Sequence, residues 1–308
     1  MKKRMKLIGV IMTMAALGTL TACGSSGTTA EEEGDTAASE ESVAVVEDES
    51  AAAEGESAAT SSDLSGTVAV GGSTSMESVI GYLKEQFTND NSGVTISYAG
   101  VGSGGGIEGA SNGTYDIGLS SRDLKEEEAD NGLTATTLAL DGITVIVNSG
   151  NGVEDLSLDD ITAIYNGEIT NWSEVGGDDL EIALIGREES SGTRDGFESI
   201  TDTDGSHLDQ ELTSTGAVIT AVGSSDNAIG YASLSAVEGQ ADIKAVTVDG
   251  VACSEETILD GSYAIQRPFV MVTNDSEPLS TEAQAFFDFC ISDDAKELIR
   301  AAGAVPLE

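Results

Sequence analysis

Three short segments rich in glycine, serine and threonine limit the folds available to this chain, because each follows an apolar stretch and precedes a helical pattern. They lie at residues 72–75, 101–106 and 191–193. Apolar strands that alternate with helices are typical of an α/β architecture with largely parallel, buried strands. In open α/β sheets, ligands bind beyond the carboxyl ends of the strands, where loops of this kind gather. The three segments therefore predict an α/β fold with a binding site where the loops meet.

Hydrophobic spacing places the individual elements of this alternation. In the first half we predict a helix at residues 76–87, a glycine loop at 100–106 followed by a short helix through Ala110, and strands at 68–70, 94–99, 116–120 and 138–147, the last interrupted by Asp141-Gly142. In the second half we predict helices at residues 158–165, 217–222, 281–289 and 293–301, and strands at 182–185, 229–232, 243–248 and 268–272.

Residues 185–197 carry the clearest chemical signal. Arg187 and Arg194 flank a Ser-Gly-Thr turn at residues 191–193, where we expect a helix to begin. Backbone N–H groups at a helix start lack intrahelical partners and suit an anion. The guanidinium of Arg187 adds a planar charged fork that matches a tetrahedral oxyanion. With Arg122 after the predicted strand at 116–120, these residues predict an oxyanion site.

The overall charge excludes nucleic acid as an expected partner. The chain has 13 Lys+Arg against 55 Asp+Glu, which gives a formal net charge of −42. Affinity for nucleic acid depends mainly on basic side chains that contact phosphates. We interpret the acidic residues as a solvated surface that keeps the protein soluble. The same charge repels an anion at long range, so local donors must dominate at short range.

Residues 1–22 have the pattern of a secretory signal, with a basic start followed by an apolar run that is too short to span a bilayer as a mature helix. The Leu-Thr-Ala-Cys-Gly ending resembles a bacterial lipobox, which implies cleavage before Cys23 and attachment of lipid to its sulfur. The alternative is an ordinary signal peptide with a chance cysteine. Lipidation would anchor the mature protein to the membrane without spanning it.

Residues 23–63 predict a lipidated cysteine followed by a disordered tether. This segment is rich in Ser, Thr, Ala, Gly and Glu and contains no Lys or Arg, so it cannot bury enough apolar surface to offset its ordering entropy. The folded part is then residues 64–308, which is long enough for one large or two medium domains. Cys253 and Cys290 could form a disulfide in an exported protein, but we expect buried free thiols.

Several motifs resemble those of the phosphate-binding lipoproteins that serve bacterial ABC phosphate importers, and the resemblance covers most of residues 66–308. The Ile-Thr-Asn-Trp and Ser-Gly-Thr-Arg elements, in this order, make it specific. The matching segments are Gly-Ser-Thr-Ser-Met at 72–76, Gly-Ser-Gly-Gly-Gly at 102–106, Asp-Ile-Gly-Leu-Ser-Ser-Arg at 116–122, Ala-Leu-Asp-Gly-Ile at 139–143, Tyr-Asn-Gly-Glu-Ile-Thr-Asn-Trp at 165–172, the stretch from Arg187 to Arg194, Ala-Ile-Gly-Tyr at 228–231 and Ala-Val-Pro-Leu at 304–307.

The resemblance implies an α/β, periplasmic-binding-protein-like fold of two lobes joined by a hinge, with the ligand in the cleft between them. Residues 64–146 with 264–308 would form one lobe and residues 147–263 the other. It also implies a monomeric receptor that is not an enzyme and needs no cofactor or metal. The protein would bind inorganic phosphate at the extracytoplasmic face of the membrane and deliver it to an ABC phosphate permease.

Position by position, the family's phosphate contacts fall on Thr74, Ser75, Ser103, Arg187, Ser191, Gly192 and Thr193. One position departs, because Ser121, followed by Arg122, stands where some members have an aspartate. Phosphate near neutral pH carries a proton and sulfate does not, so rejection of sulfate needs an acceptor for that proton. We expect Asp141 to take this role, and the alternative is that Asp141 only pairs with Arg122. Ser121, Arg122 and Asp141 complete the predicted phosphate-binding set.

Other functions compete with this hypothesis. The site could serve another oxyanion such as sulfate or molybdate, or a loop serine could make the protein a phosphatase. The chain could also be an adhesin or sensor that has lost its ligand. Trp172 is expected in the core, Arg194 in an ion pair on a helix surface, and His207, the only histidine, at the surface. The absence of a G-x-S-x-G motif and of zinc-type His/Cys spacing argues against a hydrolase.

Overall fold

A computed structural model describes residues 64–307. The predictions made for residues 1–63, which are the secretory signal, Cys23 and the tether, lie outside the described residues. Within the described part, no helix combines the length and the apolar character that crossing a membrane requires.

The described chain alternates strands and helices, as the sequence predicts. Its strands are Ser65–Gly72 (β1), Gly93–Gly100 (β2), Ile117–Ser120 (β3), Leu133–Asn148 (β4), Asp155–Leu156 (β5), Ala183–Arg187 (β6), Gln210–Leu212 (β7), Ala228–Ser233 (β8), Ile243–Ala245 (β9), Thr247–Val248 (β10), Gln266–Asn274 (β11) and Val305–Pro306 (β12). Its α-helices are Glu77–Asp90 (α1), Gly102–Ser111 (α2), Glu126–Asp130 (α3), Leu158–Tyr165 (α4), Gly192–Thr201 (α5), Thr215–Gly223 (α6), Leu234–Val237 (α7), Glu255–Leu259 (α8), Thr281–Cys290 (α9) and Lys296–Ala301 (α10). Short 3₁₀ turns occupy Thr74–Met76, Trp172–Val175 and Asp293–Ala295.

The main sheet is mixed, so the prediction of largely parallel strands is wrong at its centre. The strand order is β2-β1-β3-β11-β4-β8-β6-β7, and β9 and β12 also pair with β4. β1 runs parallel to β2 and β3, and β6 runs parallel to β7 and β8. β11 is antiparallel to both β3 and β4, and β4 is antiparallel to β8. Two long strands in the middle of the sheet therefore separate two parallel groups.

Strand β4 passes through Asp141-Gly142 without a break, which corrects the predicted interruption. In the ladder with β11, Arg267 lies opposite Asp141 and Gln266 lies opposite Gly142. The polar pair breaks the apolar sequence pattern but not the backbone, because a charged partner on the neighbouring strand compensates the buried carboxylate.

The glycine-rich stretch after β2 forms helix α2. This corrects the loop that we expected from its composition. A Cβ atom on Gly106 would lie 2.6 Å from the Cα of Gly72, and one on Gly109 would lie 2.2 Å from the ring of Tyr115. The glycines thus let the helix approach β1 and its surroundings more closely than side chains would allow. This packing outweighs the low intrinsic helix propensity of glycine.

Helix α1 follows its predicted pattern, since Val79, Ile80, Leu83 and Phe87 are all buried. They belong to a core that α1, α9 and α10 form against β1, β2 and β3. A second core packs α4 and α5 against the later part of β4, β6 and β8, and α6 covers the other face of these strands. The division into two lobes stays a prediction.

Candidate anion-binding site

Seven buried hydroxyl side chains meet where the loops predicted from the sequence come together. We call them the hydroxyl cluster: Ser73, Thr74, Ser75, Ser103, Ser121, Thr193 and Thr215. The first three follow β1, and Ser121 follows β3. Ser103, Thr193 and Thr215 lie in the first turns of α2, α5 and α6. The fold thus collects neutral polar groups from five separate segments in one buried place.

One half of the hydroxyl cluster joins the end of β1 to the starts of α5 and α6. The hydroxyl oxygen of Ser75 lies 2.8 Å from that of Thr193 and 3.1 Å from that of Thr215. The hydroxyl oxygens of Thr74 and Thr215 are also 3.1 Å apart, and the backbone N–H of Thr215 donates to Thr74 Oγ1. These residues are separated by more than a hundred positions, so tertiary folding alone brings them into contact.

The other half of the hydroxyl cluster surrounds the first residue of α5. Ser73 donates to Ser121 Oγ at 2.9 Å, and the hydroxyl oxygens of Ser103 and Ser121 are 3.2 Å apart. Gly192 lies so close that a Cβ atom would be 2.4 Å from Ser103 Oγ and 2.9 Å from Ser121 Oγ. The absence of a side chain at Gly192 therefore allows α5 to reach the hydroxyls of α2 and β3.

Helix α5 begins at the Ser-Gly-Thr turn, as the sequence predicts, and Ser191 is its N-cap. Its hydroxyl oxygen accepts hydrogen bonds from the backbone N–H groups of Thr193 and Arg194. This side chain satisfies donors that would otherwise lack an intrahelical partner.

Arg187 is buried beside the hydroxyl cluster and is held by several acceptors. Its Nε and Nη2 donate to the two carboxylate oxygens of Glu188, at 2.9 and 2.8 Å. Nε also donates to the carbonyl of Leu212, and Nη1 donates to Thr215 Oγ1 at 3.2 Å. The side chain is only 2% exposed, so the fork has a fixed orientation and its charge is already compensated.

Arg194 pairs with Glu198 one turn later at 2.6 Å, but this pair is buried and does not lie on the helix surface as predicted. Its Nη1 also donates to the backbone carbonyl of Arg187 and to Glu211. Arg194 therefore holds the backbone carbonyl of Arg187 by a hydrogen bond, and it does not belong to the hydroxyl cluster.

Asp141 is fully buried in an ion pair with Arg267, not with Arg122. Both Nε and Nη2 of Arg267 donate to Asp141 Oδ2, at 3.0 and 2.9 Å, and Ser233 donates to Oδ1 at 2.6 Å. Burial raises the pKa of Asp141, and the charge of Arg267 acts in the opposite direction. The carboxylate thus has two charged donors on Oδ2 and a neutral hydroxyl donor on Oδ1.

Asp141 reaches the hydroxyl cluster through intermediaries. Arg267 Nη1 points to the carbonyl of Ser121, although at 3.4 Å this contact is long. On the other side, the hydroxyl oxygen of Ser235 lies 2.7 Å from that of Ser233 and 3.3 Å from the carbonyl oxygen of Ser75, and its single proton can be donated to one of them at a time. The predicted acceptor is therefore next to the cluster, with one layer of groups between them.

Arg122 lies away from the hydroxyl cluster. It forms a two-pronged ion pair with Glu128, at 2.7 and 2.8 Å, and its Nε is 2.8 Å from Asp195. The hydrogen bond from Arg122 lowers the pKa of Glu128. A cavity of about 590 Å³ opens beside Arg122, Lys125 and Asp195. Its walls combine opposite charges, and it does not touch the cluster.

The sequence did not single out Thr215, although it contacts three members of the candidate site. A local signal exists, because Ser-Thr-Gly at residues 214–216 precedes an apolar helix in the same way as the three segments that we recognised. Arg267 was also missed, and its partner depends on strand pairing that the local sequence does not show.

The structure also shows where Trp172, His207 and the two cysteines lie. Trp172 is buried and His207 is exposed. Cys253 and Cys290 are free, and Cys290 is buried whereas Cys253 is partly buried. Among the described residues, no group of His, Cys, Asp and Glu side chains is placed to hold a metal ion.

The arrangement suits recognition of a small anion by hydrogen bonds. Hydroxyl groups can turn their protons toward an acceptor, and a guanidinium provides strong, charge-assisted donors. Arg187 is paired with Glu188, and Arg267 is paired with Asp141, so the site offers oriented dipoles without a large net positive charge. A cavity of about 400 Å³ reaches it from outside along Thr74, Ser75 and Thr215.

Comparison with known proteins agrees with this geometry. Residues 57–294 match the family model of the PBP superfamily domain. The phosphate-binding protein PstS of Staphylococcus saprophyticus is 31% identical over 247 residues, which cover 75% of this chain and 77% of that protein. PstS of Borreliella burgdorferi is 29% identical over 250 residues, which cover 77% of this chain and 88% of that protein.

A solved structure extends the likeness to three dimensions. The structure of a substrate-binding protein of a phosphate ABC transporter from Clostridium perfringens, with bound phosphate, superimposes with a TM-score of 0.76. The two sequences are 36% identical, and the match covers 79% of this chain and all of the other.

Proposed function

Because the chain belongs to the PBP superfamily, and within it to the PstS phosphate-binding proteins, we propose that it binds inorganic phosphate and delivers it to the permease of an ABC transporter. The observation that carries the proposal is the hydroxyl cluster, which brings five segments together in one buried place beside the buried guanidinium of Arg187. The contact of 2.8 Å between Ser75 and Thr193 joins two of its segments directly. Phosphate that accepts hydrogen bonds from both segments would replace this direct contact and hold the two segments together.

The binding set that we propose is narrower than the set predicted from the sequence. Thr74, Ser75, Ser103, Ser121, Arg187, Ser191, Gly192 and Thr193 keep a direct role, with Ser191 acting through the cap of α5. Arg122 loses its role as a ligand, because its guanidinium is engaged by Glu128 and Asp195 outside the hydroxyl cluster.

The direct test is calorimetric titration of the purified chain with phosphate, followed by competition with sulfate and molybdate. We expect saturable binding of phosphate with one site. If sulfate or molybdate binds more tightly, the receptor serves another oxyanion. If none of the three anions binds to a folded protein, the proposal of a receptor is wrong.

We propose that Asp141 accepts the proton of phosphate indirectly, through the groups that lie between this carboxylate and the hydroxyl cluster. Asp141 is fully buried, and hydrogen bonds link it through neighbours to Ser75 and Ser121. The alternative role is purely structural, as the partner of Arg267. Asp141→Asn should bring the affinities for phosphate and sulfate closer together, because the amide can also donate to a fully ionised anion.

Glu188→Gln provides the comparison, because Glu188 is the other carboxylate in contact with a residue of the proposed site. The readout for both variants is the ratio of the two affinities, since removal of one partner of a buried pair also costs stability. Unchanged discrimination in Asp141→Asn would assign Asp141 a structural role, and lost discrimination in Glu188→Gln would move the acceptor to that residue.

We further propose that the protein does not hydrolyse phosphate esters. His207, the only histidine, is exposed and makes no hydrogen bond with the hydroxyl cluster, so a loop serine would lack the base that usually activates it. Turnover of p-nitrophenyl phosphate should not exceed that of a Ser103→Ala variant. Turnover that is lost in this variant would favour the phosphatase.

The location outside the cytoplasmic membrane, anchored through lipid on Cys23, is also a proposal. It is supported by the lipobox-like sequence and by the family to which the chain belongs. A Cys23→Ser variant should be released from the membrane fraction in cells, and mass spectrometry of the wild-type protein should show the mass of the lipid. A membrane-bound Cys23→Ser protein would argue against this anchor.

A further inference from the structure

Thr215 is the member of the hydroxyl cluster that joins Thr74 and Ser75 to Arg187. Its hydroxyl oxygen lies 3.1 Å from both Thr74 Oγ1 and Ser75 Oγ and accepts a hydrogen bond from Arg187 Nη1. The residue is only 3% exposed. No other hydroxyl of the cluster contacts Arg187, so Thr215 connects the guanidinium with the residues after β1.

The hydrogen bonds define what each group can donate. A threonine hydroxyl has one proton and two acceptor lone pairs. Since Thr215 Oγ1 already accepts from Arg187, its own proton is free to point toward the side of Thr74 and Ser75. Thr74 Oγ1 in turn accepts from the backbone N–H of Thr215, which leaves the Thr74 proton available as well. Thr215 therefore leaves two hydroxyl protons, its own and that of Thr74, available to an anion beside these two residues.

We propose that Thr215 is a phosphate-binding residue, which donates its hydroxyl proton to the anion while it holds Arg187 in place. The inference rests on the proposed function, since it adds a fifth segment to the same site. Thr74, Ser75 and Thr215 line the cavity of about 400 Å³, so an anion in this cavity lies beside the Thr215 hydroxyl.

Two substitutions separate the hydroxyl from the shape of the side chain. Thr215→Val keeps the branched shape and the backbone N–H but removes the hydroxyl. Thr215→Ser keeps the hydroxyl. Hydrogen bonds to charged groups are strong enough that Thr215→Val should weaken phosphate binding by roughly 10- to 100-fold. Thr215→Ser should stay within about threefold of wild type.

The matched control is Thr88→Val, on helix α1, whose hydroxyl donates only to backbone carbonyls of its own helix and which does not line the cavity beside Thr215. Calorimetry on the full chain gives the affinities, and thermal unfolding without phosphate reports any loss of fold. Normal binding by Thr215→Val, or equal losses in the Val and Ser variants, would overturn the role of Thr215. Failure of the wild-type protein to bind phosphate would instead overturn the proposed function.

Discussion

Gly192 offers the sharpest test of how the candidate site is assembled. A Cβ atom at this position would lie 2.4 Å from Ser103 Oγ and 2.9 Å from Ser121 Oγ, whereas real Cβ contacts essentially never fall below 3.0 Å. In Gly192→Ala, the two serine hydroxyls must turn away or the start of α5 must move, and either change disrupts this half of the hydroxyl cluster. Such overpacking typically costs about 1–3 kcal/mol. If phosphate requires the close arrangement, the cost falls on the bound state and lowers affinity by roughly 5- to 150-fold.

The same loss of affinity should also reduce the rise in melting temperature that phosphate causes. Phosphate at 100 times its dissociation constant stabilises the folded protein by about 2.7 kcal/mol. A tenfold loss of affinity removes about 1.4 kcal/mol of this. For a domain of this size, the phosphate-induced rise in melting temperature should then shrink by about 3–6 °C.

The control for Gly192→Ala is Gly81→Ala, in the exposed face of α1. No atom lies within 4 Å of a Cβ built on Gly81, so this change should raise stability by about 0.5–1 kcal/mol through helix propensity alone. Its phosphate affinity should not change. The reasoning about Gly192 fails if Gly192→Ala binds phosphate within twofold of wild type and shows the full thermal shift.

Four further outcomes are expected. Arg187→Lys should weaken phosphate binding by at least roughly tenfold in calorimetry, because an ammonium cannot reproduce the fork. Burial raises the pKa of the Cys253 thiol to about 12 and also raises that of Cys290, so neither should react with a thiol reagent at pH 8 until the protein is unfolded. The hydrogen bond from Arg122 lowers the pKa of Glu128 in the folded protein. The pair therefore stabilises the protein at pH values above the ordinary pKa of 4.5, and this stability is lost as the pH falls through the lowered pKa. The free energy of unfolding of Glu128→Gln should depend less on pH in that range. Since the charges at the site are paired and buried, phosphate affinity should change by less than about threefold between roughly 0.05 and 0.5 M salt.

Local rules account for the parts of the site that the sequence predicted well. Ser191 is a capping residue directly before a helix, and the apolar spacing of α1 is visible within four turns. The three Gly/Ser/Thr segments also contain five of the seven members of the hydroxyl cluster, because loops of this kind gather at the ends of the strands; Thr215 was missed.

The failures have two different causes. The pair of Asp141 and Arg267 spans 126 positions and depends on the register of β4 against β11, which periodicity within either strand cannot specify. The glycines of α2 have low helix propensity and predicted a loop. Their helix forms because Gly106 fits against Gly72 without a side chain, and this tertiary contact overrides the local preference.

The formal net charge of −42 and an anion-binding site are compatible because they act over different distances. Charges on the surface are screened over about 8–10 Å in physiological salt, so their repulsion mainly slows the approach of phosphate. At the site, Arg187 is balanced by Glu188 and Arg267 by Asp141, and affinity must come from oriented hydroxyl and guanidinium donors at hydrogen-bond distance. Neutralisation of surface carboxylates should therefore raise the association rate and leave the dissociation rate unchanged, whereas Thr215→Val should raise the dissociation rate.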